Sequence, residues 1–271
     1  MADWADSYRR FCQGVIDVVA PLVAAVKPQA AFFEQLGPAG MQALADTIRY
    51  AAERDLLVIL DGKRNDIGST ATAYADGYLG SGGQSVWGAD ALTVSPYLGD
   101  DSLTPFVEVA RRRAAGLFVL VKTSNPGGRL FQDVACQGGL LFERVAEHVE
   151  WLAGETLGAC GYGSVGAVVG ATHPEQLAAL RESMPRSWFL VPGFGAQGGT
   201  AGDVAGAFDA SGLGAIVNSS RAIIFAHQRQ PYRATFGDQR WQEAVEAATR
   251  EMVDQLRTET PAGQLVPPAA P

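Results

Sequence analysis

The chain has 271 residues, of which 47% are hydrophobic and 18% charged, and its formal net charge is −8. That length suits one large α/β domain or two small ones, and the composition excludes an intrinsically disordered chain. Arg111–Arg113 is the one dense basic spot, so the acidic balance argues against a general nucleic-acid or membrane-surface binder.

Cys12, Cys136 and Cys160 are scattered, with no C-x-x-C pair. Neither a disulfide framework nor a zinc site is expected, and a reducing cytoplasm is the simplest location. The start MADWADSYRR has no apolar signal core, and no run of ~18 apolar residues offers a membrane span.

In chain order, a helix is expected over 3–21, followed by a strand over 22–28 (LVAAVKP) and a helix over 39–54. The strand LLVILDGK (56–63) leads into a helix over 67–80, and ALTVSP (91–96) into one over 101–114. GLFVLVKTS (116–124) precedes a helix over 140–154, and VGAVVGAT (165–172) one over 173–183 that places Pro174 in its first turn. WFLVPG (188–193), a helical stretch over 198–210, GAIVNSS (214–220) and a helix over 241–257 complete the series. The strand candidates are continuous apolar runs ending at Gly, Pro, Ser or Asn, as strands buried on both faces are.

Strict β/α alternation implies a parallel sheet with right-handed crossovers. Unbroken over the whole chain, it favours a closed (β/α)8 TIM barrel, read as a single domain over 1–257 with a Pro- and Ala-rich tail over 258–271 expected to fray. Seven strands are readable; the first of eight is expected ahead of the opening helix and has no counterpart in this sequence.

The stretch LDGKRNDIGSTATAYA (60–75) sets Asp61, Lys63, Arg64 and Asp66 directly behind an apolar run. In a barrel, polar residues at strand C-termini face the active site. Asp61 and Lys63, two apart on a strand, point the same way. Lys27 ends the preceding strand, and Asp66 lies three residues past Lys63. Two lysines and two aspartates offset one another's desolvation, which a lone buried ion could not do. The alternatives are a salt-bridged rim, or Asp66 as the N-cap of the following helix.

The segment LDGKRNDIGSTATAYA resembles the D-x-K-x-x-D-I signature of the orotidine 5′-phosphate decarboxylase family. AAVKPQAAFFEQLG, TVSPYLG, TSNPGG, VPGFGAQGG and NSSRAI resemble that family's other blocks, in order from about residue 10 to 255. The resemblance implies a cofactor-free and metal-free decarboxylation of orotidine 5′-monophosphate to uridine 5′-monophosphate, the last step of UMP biosynthesis. By the same resemblance Lys63 is the proton donor, Asp61 faces the departing carboxylate, and Lys27 and Asp66 complete the charged network. Thr70 and Asp66 are implied to reach the partner's site in a homodimer with shared active sites. Ser124 matches the pyrimidine-binding residue, and Gln197 the one bridging pyrimidine and phosphate. Gly195 and Gly198, in a Gly-rich loop ahead of a helix, and Arg221 match the phosphate site. The family's first-strand segment with a ribose-binding Asp has no counterpart, and Asp17, inside the opening helix, does not fill that role.

Two other readings stay open: a sister barrel that stabilises an enediolate with Mg²⁺ on a sugar phosphate, and a phosphate-ligand binder without turnover. His148, His173 and His227 show no metal or triad spacing.

Overall fold

The computed structural model describes residues 2–195 and 198–265. Its chain divides into two compact units, residues 1–120 with 227–246, and residues 121–226 with 247–271.

The first unit begins with α1 (Ala2–Val19), which packs Tyr8 against Phe33 and Phe11 against Trp241, with ring centroids 5.0 and 5.3 Å apart. Strand β1 (Ala25–Val26), helices α2 (Ala30–Glu34) and α3 (Gly37–Ala52), and strand β2 (Leu57–Arg64) follow. Then come α4 (Gly68–Tyr78), β3 (Ala91–Val94), α5 (Asp100–Arg112) and β4 (Gly116–Lys122), the last of which crosses the unit boundary. The strands pair in parallel and in chain order, with Ala25 opposite Leu57, Ile59 opposite Ala91 and Ala91 opposite Gly116. Val58, Leu60, Leu92 and Val94 are fully buried, as the continuous apolar runs require. Helix α3 covers the sheet with Ala43, Leu44, Ile48 and Ala51, one face at helical spacing.

In the second unit, the short α6 (Arg129–Gln132) and a hairpin of β5 (Ala135–Cys136) and β6 (Gly139–Leu140) precede α7 (Leu141–Gly154). Strand β7 (Val165–Val169), α8 (Pro174–Ser183), β8 (Phe189–Pro192), α9 (Ala201–Val204), β9 (Ala215–Asn218) and α10 (Arg221–Ile224) complete it. These three strands are again parallel, with Ala167 opposite Phe189 and Phe189 opposite Ala215. The chain then returns through α11 (Tyr232–Thr235) and α12 (Trp241–Glu259).

All seven expected strands form. The first is shorter than its apolar run because Pro28 lacks an N–H and Leu22 lies in a turn after α1. Expected helix 198–210 breaks into α9 and a 3-10 turn at Ala205–Ala207, where Gly206 lies so close to Ala178 that a Cβ would meet its Cβ at 2.9 Å. The segment expected to fray from residue 258 instead continues α12 to Glu259 and adds a 3-10 turn at Pro261–Gln264. Thr260 caps that turn, and Pro261 packs on Gly212, where a Cβ would stand 2.5 Å from its carbonyl oxygen. Residues 266–271 lie outside the described residues.

Candidate active site

Asp61 lies near the C-terminal end of β2, 9% exposed, and is the hub of a charged network in the first unit. Lys27 Nζ donates to Asp61 Oδ2 at 2.5 Å, Lys63 Nζ donates to Asp61 Oδ1, and Thr93 Oγ1 donates to the same oxygen at 3.0 Å. With its amide nitrogen turned toward the carboxylate, Gln29 adds a bond to Asp61 Oδ2 at 2.9 Å. Burial pushes the Asp61 carboxyl up, but the charges and hydrogen bonds of Lys27 and Lys63 outweigh it and hold it below the usual carboxylate range.

The backbone explains why these groups meet. Asp61 N–H donates to Pro28 O at 2.9 Å, tying the end of β2 to the segment that carries Lys27. The register of β2 against β3 shifts between Leu60 and Arg64, and Lys63 takes a left-handed φ of +45°. That conformation costs a lysine roughly 1–2 kcal/mol. Lys63 N–H donates to Thr93 Oγ1 at 2.9 Å, so one threonine fixes both the carboxylate and the lysine backbone. The Lys63 side chain is the open end of the network at 46% exposure, against 13% for Lys27 and 11% for Asp61. Two ammoniums on one carboxylate leave a net positive site facing solvent, suited to an anionic reacting group.

Thr93 and Gln29 escaped the sequence reading. Thr93 was legible as the one polar residue in the buried strand ALTV, but its partner was not. Asp66 stays outside the network within one chain: its Oδ1 accepts from Ile67 N–H at 2.8 Å, and among the described residues it forms no ion pair. Nor is it the N-cap of α4, a position held by Ile67, whose side chain offers no acceptor. Thr70 is exposed in the first turn of α4.

The second unit carries Ser124, Gly195, Gly198 and Arg221, four of the residues expected at the phosphate and pyrimidine. Ser124 follows β4, and Gly170 after β7 approaches it so closely that a Cβ would lie 2.8 Å from the Ser124 nitrogen. The segment beyond Ser124 is clamped to the strand end. Thr123 N–H donates to Gln132 Oε1 at 3.1 Å, Gln132 Nε2 donates to Thr123 Oγ1 at 2.7 Å, and buried Lys122 pairs with Asp133.

After β8, Gly195 and Gly198 take positive φ of 73° and 94°, and the Gly195 N–H donates to Gly199 O at 2.8 Å. Gln197 lies outside the described residues. The loop after β9 is joined to this one through Ser219 Oγ, which donates to Phe194 O at 3.1 Å. Arg221 opens α10 beside them, exposed. The N–H groups of Gly195, Gly198 and Gly199 are bonded within the loop, so the Arg221 guanidinium is the charged donor that these two strand ends offer a phosphate dianion.

A shallow groove of about 520 Å³, lined by Ser7, Arg10, Phe11, His227, Asp238 and Trp241, contains none of these residues. Among the described residues no three His, Cys, Asp or Glu side chains are grouped to hold a metal ion, and no helix is long and apolar enough to cross a membrane.

Residues 6–234 match the model of the orotidine 5′-phosphate decarboxylase / HUMPS family. An orotidine 5′-phosphate decarboxylase from Rhodopirellula baltica is 62% identical over 255 residues, covering 93% of this chain and 84% of the relative. One from Deinococcus radiodurans is 51% identical over 213 residues, covering 78% of this chain and 75% of its own. Among solved structures, the OMP decarboxylase of Leishmania donovani superposes with a TM-score of 0.76 at 34% identity, over 94% of this chain and 88% of that one. A crystal structure from Streptomyces avermitilis superposes with a TM-score of 0.79 at 37% identity, over 94% of this chain and 83% of that one. These likenesses bear out the α/β barrel class expected from the sequence.

Proposed function

The chain belongs to the orotidine 5′-phosphate decarboxylase / HUMPS family, and we propose that it removes CO₂ from orotidine 5′-monophosphate at the Lys27–Asp61–Lys63 network. The observation that carries this reading is one buried carboxylate held between two ammoniums, with Lys63 as the open end.

In the reaction the C6–carboxylate bond breaks, CO₂ departs, and the electron pair stays on C6 in the plane of the ring. The ring cannot delocalise that pair, so fixed charges must stabilise it. The Lys63 ammonium lies beside the developing charge, then transfers a proton to C6 to give uridine 5′-monophosphate and recovers its own proton from water. Asp61 holds Lys63 in place and faces the departing carboxylate. Lys27 keeps Asp61 ionised and reaches the ribose. No organic cofactor or metal enters these steps.

Gly195, Gly198, Gln197 and Arg221 hold the phosphate in this reading, and Ser124 with Gln197 the pyrimidine. Asp66 and Thr70 serve a second copy of the chain, making a two-fold dimer with shared sites. Exposed Ile67, Tyr97 and Leu98, beside the ends of β2 and β3, supply apolar area for that contact. The setting is cytoplasmic.

The test is turnover of orotidine 5′-monophosphate by the purified chain, with and without a chelator, beside a hexulose phosphate and a keto-sugar phosphate. Decarboxylation of the nucleotide that is indifferent to chelator is expected. Activity on a sugar phosphate alone, abolished by chelator, would overturn the reading, as would nucleotide binding without turnover.

A further inference from the structure

Arg64 follows the reacting lysine directly, and the chemistry above gives it no task. Its guanidinium pairs with Glu34 at the last residue of α2 and donates to the Tyr78 hydroxyl at 3.4 Å. It also lies 5.4 Å from the ring centroid of Tyr78 and 5.7 Å from that of Tyr74. Its carbonyl accepts from Ser95 N–H at 2.9 Å.

These contacts close a ring of structure around the charged network. Lys27 leads through Pro28 and Gln29 into α2, which ends at Glu34; Glu34 meets Arg64, and Arg64 leads back through Lys63 and Gly62 to Asp61. The ring is stitched at its other side by the bond from Asp61 N–H to Pro28 O. Lys63 sits inside it with a left-handed φ, at the point where β2 loses register with β3. A strained residue keeps such a conformation only where its neighbours over-determine it. Thr93 holds Lys63 from one side through its N–H. On the other side the holding group is Arg64, fixed by an ion pair, a hydroxyl and two aromatic faces.

We infer that Arg64 and Glu34 are positioning residues for the reaction. Their pair sets the backbone of Lys63, and with it the direction of the ammonium from Asp61 toward C6. The pair is partly exposed, 19% at Arg64 and 38% at Glu34, so its contribution to global stability is small and its effect falls on geometry. The inference rests on the reading that Lys63 delivers the proton.

Three quantities are measured for wild type, Arg64→Gln, Glu34→Gln and the double variant: kcat for orotidine 5′-monophosphate, exchange of the C6 hydrogen of uridine 5′-monophosphate in D₂O, and affinity for that product. In Arg64→Gln, kcat and C6 exchange should fall together, on the order of 10- to 100-fold. Product affinity should stay within about threefold, because the guanidinium is engaged by Glu34, Tyr74 and Tyr78 and has no place in the proposed ligand contacts. Glu34→Gln should show the same pattern more weakly, and the double variant should be no worse than Arg64→Gln, since both changes remove one contact. Arg64→Lys keeps the charge without the planar fork and should recover part of the loss.

Wild-type kcat in Arg64→Gln would overturn the inference. So would a parallel loss of kcat, product affinity and melting temperature, which marks a merely structural tie, or additive effects of the two substitutions. Should Arg64→Gln fail to fold, the exposed Glu34→Gln carries the same test. Failure of the wild type to decarboxylate the nucleotide would strike the proposed function instead.

Discussion

Asp61 is expected to govern part of the acid stability as well as the chemistry. Its carboxyl is held below the usual range, so the stabilisation it contributes is fully present above a pH of about 4 and is lost as pH falls through its lower folded value. Asp61→Asn should therefore cost about 1–3 kcal/mol in urea unfolding at pH 7, because Lys27 and Lys63 lose the carboxylate that both bond. The gap to wild type should close as pH drops below about 4; an unchanged gap at pH 3 would mean that the pairing does not set that carboxyl. Thr93→Val is nearly isosteric but removes a donor to Asp61 and the acceptor of the Lys63 N–H. A loss of about 1–3 kcal/mol is expected, with turnover reduced more than product affinity. The cysteines divide by environment. Burial pushes the Cys12 thiol up to about 12, while Cys136 and Cys160 are exposed. A thiol reagent at pH 8 should modify Cys136 and Cys160 rapidly and the half-buried Cys12 more slowly; three equally fast thiols would contradict the packing of α1.

Among the elements, the sheet shows how much the sequence discloses. Continuous apolar runs ending in Gly, Pro, Ser or Asn marked all seven strands, because a strand buried on both faces has no polar positions to blur the signal. The hairpin of β5 and β6 went unseen: each strand has two residues, and its only signal is Gly138–Gly139 at the turn. Helix α2 was likewise hidden within a block read for its resemblance rather than its periodicity. Lys27, Asp61 and Lys63 were legible as a cluster from spacing alone. Thr93 was not, since its role depends on a register between β2 and β3 that no local pattern encodes. Gly170 is another such case, called for by the approach of Ser124 rather than by a turn. Gly170→Ala should lower stability by about 1–3 kcal/mol and raise KM for the nucleotide by displacing Ser124. An unchanged KM with a lowered melting temperature would remove Ser124 from the pyrimidine site.

For the whole molecule, Asp66 and Thr70, which the resemblance implies at the partner's site, stand apart from the network within one chain, an arrangement that suits service to a second copy. Lys63→Ala and Asp66→Ala subunits, each inactive, should rescue one another after exchange. About half of the dimers would be mixed, each with one intact site, so activity should return to about a quarter of wild type. No recovery despite demonstrated exchange would confine Asp66 to its own chain. The same two variants bear on the chemistry itself, and Lys63→Ala alone tests it most directly. Turnover of orotidine 5′-monophosphate by Lys63→Ala is to be measured beside its affinity for uridine 5′-monophosphate. Loss of both proton donor and stabilising charge should lower kcat on the order of 10³-fold or more, with product affinity changed less than about tenfold. A kcat near that of wild type would show that the proton reaches C6 from another group and that the Lys27–Asp61–Lys63 network is not the reacting end of the site.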